Sequence, residues 1–235
     1  MPGTQTLVAA ATPARPPRRP NRLLRAGLAA GPLFVASFLL QGALRDGYDP
    51  LRHPVSSLAL GPAGWVQTVT FLVAGVLTVV FAAGLRRSLE PGPGAAAGPL
   101  LITVWGVGLV GAGVFVTDPV SGYPAGTPPV PDRPSWHGLL HDMVFGLPGF
   151  VGFAAAMLVL AYAFARRGAP GWALYSGVSG AAFVVLFLLA SAGFAQHSPW
   201  VSSAGLLQRL TVGVGWLWLT ALAVRRTADD RADLP

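Results

Sequence analysis

Six stretches of the chain carry apolar residues in runs too long for a water-facing helix, and polar or proline- and glycine-rich intervals separate them. They fall at residues 24–44, 65–85, 99–117, 138–165, 172–194 and 203–224. A helix that crosses a bilayer needs about 20 predominantly apolar residues, so the pattern predicts an all-α, polytopic bundle of six transmembrane helices. Three regions follow: a tail at 1–22, a six-helix membrane domain at 23–226 and a short cytoplasmic tail at 227–235. The arginine-rich leader has the charged start of a signal peptide. The apolar run behind it extends to about 20 residues without a small-x-small cleavage site, so it reads as a retained helix. The Pro, Ala and Arg bias of residues 1–22 predicts a disordered cytoplasmic tail.

Composition agrees with this reading. Charged residues make up 11% of the chain and hydrophobic ones 53%, whereas a soluble domain carries roughly 25% charged residues. Most of the surface must therefore meet lipid. No cysteine is present, which removes disulfides and thiolate chemistry. The net charge of +7 rests on 16 basic residues, all of them arginine. In a soluble protein that excess would suggest nucleic acid. Here the arginines stand at the ends of apolar runs, so topology explains them and no nucleic-acid partner is expected. Positive residues stay on the cytoplasmic side. The leader, Arg86 and Arg87, Arg166 and Arg167, and Arg225 to Arg231 mark that side, which predicts both termini inside and a multi-pass protein of the cell (plasma) membrane. The loops with Arg45, Arg52 and Arg133 are predicted outside.

"GVGLVG", Gly106 to Gly111, matches a nucleotide-binding fingerprint, but it lacks the strand before it and the acid about 20 residues on. It reads as a helix-packing surface, as do Gly108 with Ala112 and Ser176 with Gly180. Depth can be counted from the arginines at 1.5 Å per residue. From Arg166 back to Asp142 is about 36 Å, and from Pro99 to Asp118 about 28 Å, against a hydrocarbon slab of roughly 30 Å. His53, His137, His141 and His197 thereby all reach the outer headgroup level. Asp118, Asp142, Gln196 and Arg209 join them.

"PSWHGLLHD" places His137 and His141 four residues apart, on one helix face. Such a pair can share a zinc ion, which in a catalytic site takes three protein ligands and one open position. His53, His197 and Asp118 are the candidates for the third. The alternative is an interfacial cap, with Ser135 as the helix N-cap. The loop from Asp118 to Trp136 holds six prolines, and its length points to an ordered lid carrying Tyr123. The apolar second half of the first loop suits an interfacial or re-entrant segment. Gln41, Thr70, Thr78 and Thr103 are scattered, and no ion path through the bilayer is evident.

The runs "YDPLRHPVSSLALGPAGWVQ", "VFVTDPVSGYP" and "SWHGLLHD" resemble the actinobacterial branch of domain-of-unknown-function family 998 (DUF998) across most of residues 25–224. That resemblance implies a six-helix membrane fold and no particular activity. The His, Ser, Asp and H-x-x-x-H set is also loosely similar to the alkaline ceramidase and progestin-receptor-like membrane hydrolases. In that group the H-x-x-x-H lies on the last helix, whereas here it lies on the fourth.

Two functions follow. One is a non-catalytic membrane protein, a sensor or partner subunit or a binder of a lipid or small amphiphile, with Arg209, Tyr123 and Arg52 as ligand contacts. The other is a zinc-dependent hydrolase of lipid-like substrates at the outer leaflet. There Asp118 or Asp142 would be the general base, and Ser56 or Ser57 would place substrate. Arg209, the one charge inside an apolar run, is expected to pair with Asp142 or Asp118. Reporter fusions test the topology: those at residues 90 and 168 should read inside and one at 126 outside, and an inside signal at 126 would overturn the depth count.

Overall fold

The computed structural model describes residues 20–232, so most of the expected tail at 1–22, and residues 233–235, lie outside the described residues. Among the described residues six helices are long and apolar enough to cross a membrane: α1 (Arg22–Leu44), α2 (Gly64–Ser88), α3 (Ala97–Val114), α4 (Trp136–Arg166), α5 (Pro170–Phe194) and α6 (Val201–Ala232). Every predicted run is one of these helices. Most boundaries move by one to three residues, and two of the shifts have a clear local cause. α3 ends at Val114 because Phe115 leaves helical geometry. α6 runs to Ala232, past the predicted end of the membrane domain, and Asp229 carries this extension by pairing with Arg225 at 3.8 Å and Arg226 at 3.2 Å, one turn back.

Each helix packs on its sequence neighbours, and α6 returns to α1, so the six form a closed ring. Alternating direction follows from the short connections. Between α4 and α5, Gly168 takes φ +70°. Ala169 N–H then bonds to the Phe164 carbonyl at 2.9 Å and Gly168 N–H to that of Ala165 at 3.2 Å. This satisfies two orphan carbonyls of α4, and Pro170 begins α5 where its missing N–H costs nothing. Gln196, at φ +62°, closes α5 in the same way.

The ring has no open centre. Trp216 and Phe153 are at most 1% exposed and Phe34 and Trp105 at most 3%. Trp105 stacks on Phe153 at 4.9 Å, and Trp216 lies 5.3 Å from Phe34 and 5.9 Å from Trp105. Aromatic faces from α1, α3, α4 and α6 thus fill the middle.

The glycine motif is a packing surface on two sides. A Cβ on Gly106 would meet the Gly75 carbonyl oxygen of α2 at 2.9 Å, and one on Gly108 would meet that of Phe145 in α4 at 2.7 Å. With hydrocarbon outside, helix association rests on such close approach rather than on burial from water. Gly108 faces backbone, which cannot swing aside. Gly108→Leu should therefore force α3 off α4 and lower the melting temperature in detergent clearly more than Gly108→Ala, by an overpacking cost of about 1–3 kcal/mol. Equal losses for the two variants would show that the contact is not tight.

Candidate functional site at the loop-rich end

At the end of the ring opposite the arginine pairs, the loop 45–63 folds back over the helices. Its second half forms a 3-10 turn, Val55–Ala59, with Val55, Ser57, Leu58 and Ala59 buried. The apolar second half of the loop thus packs its side chains onto the helices. Arg45 fastens the turn by donating to the carbonyls of Leu60 (2.8 Å) and Leu58 (3.1 Å). α6 fastens the other side: Leu206 N–H donates to the Leu51 carbonyl at 2.9 Å, and Gln208 Oε1 accepts from Val55 N–H at 2.7 Å.

Arg209 is the centre of this arrangement. Its guanidinium donates to the carbonyls of His53 (2.9 Å) and Gly205 (3.0 Å) and to the Tyr48 hydroxyl. It also lies over the rings of Phe38 and Tyr48, 5.8 and 5.4 Å from their centroids. The expected pairing with Asp142 or Asp118 is therefore corrected: carbonyl dipoles and aromatic faces occupy the guanidinium instead. Tyr48 in turn donates to the Pro54 carbonyl at 2.9 Å. Burial raises its phenol above the ordinary value against the opposing pull of Arg209, so it keeps the proton it donates.

Tyr48, His53 and Tyr123 form a buried triad with centroids 5.1 to 5.4 Å apart. This ties the loop 45–63 to the loop 115–135. His53 Nδ1 accepts from Asp49 N–H at 2.8 Å, so the other ring nitrogen carries the proton, and the imidazole also makes a backbone hydrogen bond with Ser121. A ring so engaged offers no free lone pair to a metal.

His137 and His141 serve the end of α3. His137 Nδ1 lies 2.8 Å from the Val116 carbonyl oxygen, and His141 Nδ1 lies 2.7 Å from that of Phe115 and 3.2 Å from that of Ala112. A carbonyl only accepts, so both Nδ1 atoms are protonated and donate. The last carbonyls of a helix have no intrahelical partner, and these imidazoles supply one from α4. Ser135 is the N-cap, accepting from Gly138 N–H at 3.0 Å. Its hydroxyl donates to Asp118 at 2.6 Å and its N–H to the same carboxylate at 2.8 Å. Asp118 is thus tied to the helix start.

Keeping both imidazoles on α3 takes a change of helix type. Residues 137, 141, 145 and 149 all meet α3: the Phe145 ring stacks on Phe115 at 5.4 Å, and Gly149 lies beside Trp105. At 3.6 residues per turn, each four-residue step overshoots by about 40°. From Leu140 to Gly146 the helix widens to a π-helix, with Leu147 N–H bonded to the Asp142 carbonyl. The wider turn removes much of that drift. Pro148 favours it, having no N–H for the Val144 carbonyl.

The remaining candidates are dispersed. His197 lies exposed on the turn after α5, where its N–H closes that helix on the Ala192 carbonyl at 2.9 Å. Asp142 is exposed and Ser56 half-buried. Ser57 is fully buried, its hydroxyl without a partner. Arg52 donates its N–H to the Asp49 carbonyl at 3.1 Å and has its Nε buried unpaired. Among the described residues no group of three or more His, Asp or Glu is placed to hold a metal ion. His137 and His141 both turn Nδ1 to carbonyls at the end of α3, while His53 is held within the loop 45–63 and His197 stands on the turn after α5.

A second polar feature escaped the sequence reading. Between α1 and α2, Gln41 Nε2 donates to Gln67 Oε1 (2.8 Å) and Ser37 Oγ (3.0 Å), Ser37 meets Thr70 at 2.7 Å, and Thr70 donates to the Val66 carbonyl at 2.8 Å. Ser37 and Thr70 also line an open groove of about 240 Å³ with Leu33, Trp65, Val66, Val69 and Val73. Ser37 and Gln67 sit in apolar runs on different helices, and their joining through Gln41 needs the fold to be seen.

A closed ring of six apolar helices with packed loops at one end defines a multi-pass integral membrane protein. The chain belongs to the family described as protein of unknown function (DUF998), whose family model matches residues 28–225. No curated protein and no solved structure matches the chain.

The triad makes the loop-rich end sensitive to acid. Burial pushes His53 below its ordinary 6.5, Asp49 pulls upward, and Arg52 and Arg209 add to the depression. Protonating Nδ1 would also remove its bond from Asp49. The neutral ring's contribution to stability is complete above pH 6.5, and it is lost as pH falls from there through the depressed folded value. The melting temperature of detergent-solubilised protein should therefore drop across that window, and His53→Gln should flatten the drop. An unchanged profile in the variant would remove His53 as its cause.

Proposed function

We propose that the protein is a non-catalytic binder of a lipid-like amphiphile, held in the α1–α2 groove of the cell membrane. The observation that carries this reading is the direction of the protons on the groove floor. Gln41 donates to Ser37, and Thr70 donates to Val66, so the shared bond between the hydroxyls is donated by Ser37. Both hydroxyl protons of the groove lining are committed, so Ser37 and Thr70 turn acceptor lone pairs toward it, while the unpartnered Nε2 of Gln67 is buried outside the lining. No charged residue lines the walls. The matching ligand has an apolar chain and an uncharged hydroxyl that donates. Trp65, 67% exposed at the start of α2, stands at the mouth, where the ring of a tryptophan suits the headgroup level.

The loop-rich end supports this reading by contrast. His53, His137, His141, Arg209 and Asp118 are bonded to backbone and to polar side chains of the same end, which is the work of a clamp. Photolabelling with a long-chain alcohol carrying a diazirine tests the groove in the purified chain. Labels should map to residues 33–37 and 65–73. Val69→Trp should block them, and Thr70→Val should weaken labelling up to about tenfold, the loss of one hydrogen bond. Labelling spread evenly over the helix exteriors and indifferent to Val69→Trp would overturn the groove. Stoichiometric zinc in the purified protein, lost in His137→Ala, would point instead to the metal-dependent hydrolase.

A further inference from the structure

The end of the ring opposite the loops is strongly basic. Arg25, Arg86, Arg87, Arg166 and Arg167 are exposed there, against the exposed acids Glu90 and Asp229. Several of its arginines are engaged in holding the fold: Arg167 donates to the Glu90 carbonyl at 3.0 Å and Arg226 to that of Ser88 at 2.7 Å. Arg225 is placed differently. Its guanidinium lies 4.8 Å from the ring centroids of both Phe164 in α4 and Trp172 in α5. Its Nη1 is buried without a hydrogen-bond partner. Its one carboxylate, Asp229, stands off at 3.8 Å from Nε and is half exposed.

A guanidinium is a planar fork of five donors suited to a phosphate or carboxylate. Two aromatic faces orient this one and shield it from water, and its unpaired nitrogen leaves bonding capacity unused. The crevice where α4, α5 and α6 meet opens at the α4–α5 turn, where a Cβ on Gly168 or Gly171 would touch nothing within 4 Å. From the crevice along α5, Leu174 and Val178 are 71% and 59% exposed, one turn apart on the same outward face. They offer an apolar wall where an acyl chain would lie.

We propose that this crevice binds the phosphate of an anionic phospholipid, gripped by Arg225 between Phe164 and Trp172, with the surrounding exposed arginines drawing such lipids to this end. The site lies apart from the α1–α2 groove and does not depend on its occupant. A phospholipid fits better than a soluble phosphate compound, because the wall beyond the guanidinium is apolar and lipid-facing. Clusters of basic residues at a membrane boundary attract anionic lipids in general, and the aromatic sandwich makes this one a defined position.

The test uses the full chain in nanodiscs of phosphatidylcholine doped with phosphatidylglycerol, with bound lipid counted by native mass spectrometry after gentle release. Wild type should retain phosphatidylglycerol over phosphatidylcholine by about tenfold or more. Arg225→Met should lose that preference, and Arg225→Lys, which keeps the charge without the fork, should lose most of it. The double variant Arg86→Gln with Arg87→Gln should keep it, because it removes two charges from the same end, against one at Arg225, without touching the crevice. Inorganic phosphate at millimolar concentration should not displace the lipid. Equal retention of the two lipids by wild type, an equal loss in the Arg86/Arg87 variant, or full displacement by phosphate would each overturn the proposal. If Arg225→Met fails to fold, Arg225→Lys and the double variant still decide it.

Discussion

A cation inside an apolar helix must find its partners within the protein, and Arg209 does so without an acid. Three donated hydrogen bonds and two aromatic faces surround it. The consequence is architectural, because those partners come from the loop 45–63. Holding the His53 carbonyl and the Tyr48 hydroxyl places both rings against Tyr123, and Tyr123 holds the next loop. One desolvated guanidinium thereby closes an end of the ring. An arginine near the edge of the hydrocarbon costs less than one at its centre, and here its insertion is coupled to the folding of a loop distant in sequence.

The same need to satisfy polar groups governs α4. Backbone carbonyls at the end of α3 have no intrahelical partner, and two imidazoles on α4 meet them. The π-helix from Leu140 to Gly146 keeps the four-residue stripe of His137, His141, Phe145 and Gly149 in register with α3. A purely α-helical turn would carry the stripe away from those carbonyls.

The spans were legible in the sequence because an apolar run of bilayer length has few other uses, and Ser135 was legible as an N-cap because its position before the run leaves it little else to do. The partners were not. The spacing of His137 and His141 shows that they share a face and not what that face meets, so a metal site and an interfacial cap both stayed open. Arg209 misled for a related reason: charge complementarity pointed to an acid at the same depth, while the bonding came from backbone dipoles in a loop whose path no periodicity reveals. Tyr48 and Gln67 carried no signal beyond their residue type. The one clue at Tyr48 was an amphipathic aromatic beside a membrane boundary.

An interior packed with Trp105, Phe153, Trp216 and Phe34 also constrains where function can lie. Trp105 and Phe153 stack at 4.9 Å and, with Trp216 and Phe34, fill the middle of the ring with apolar side chains. Contacts with other molecules then belong to the perimeter and to the two ends. The loop-rich end has committed most of its donors and acceptors to its own closure. The perimeter between α1 and α2 keeps acceptor lone pairs on Ser37 and Thr70, and the opposite end keeps a buried guanidinium nitrogen of Arg225 unpaired. In a solvent of hydrocarbon, an unspent hydrogen-bonding group costs more than it would in water. These two positions, on different helices and of opposite hydrogen-bonding character, are where the surrounding lipid has most to offer the protein.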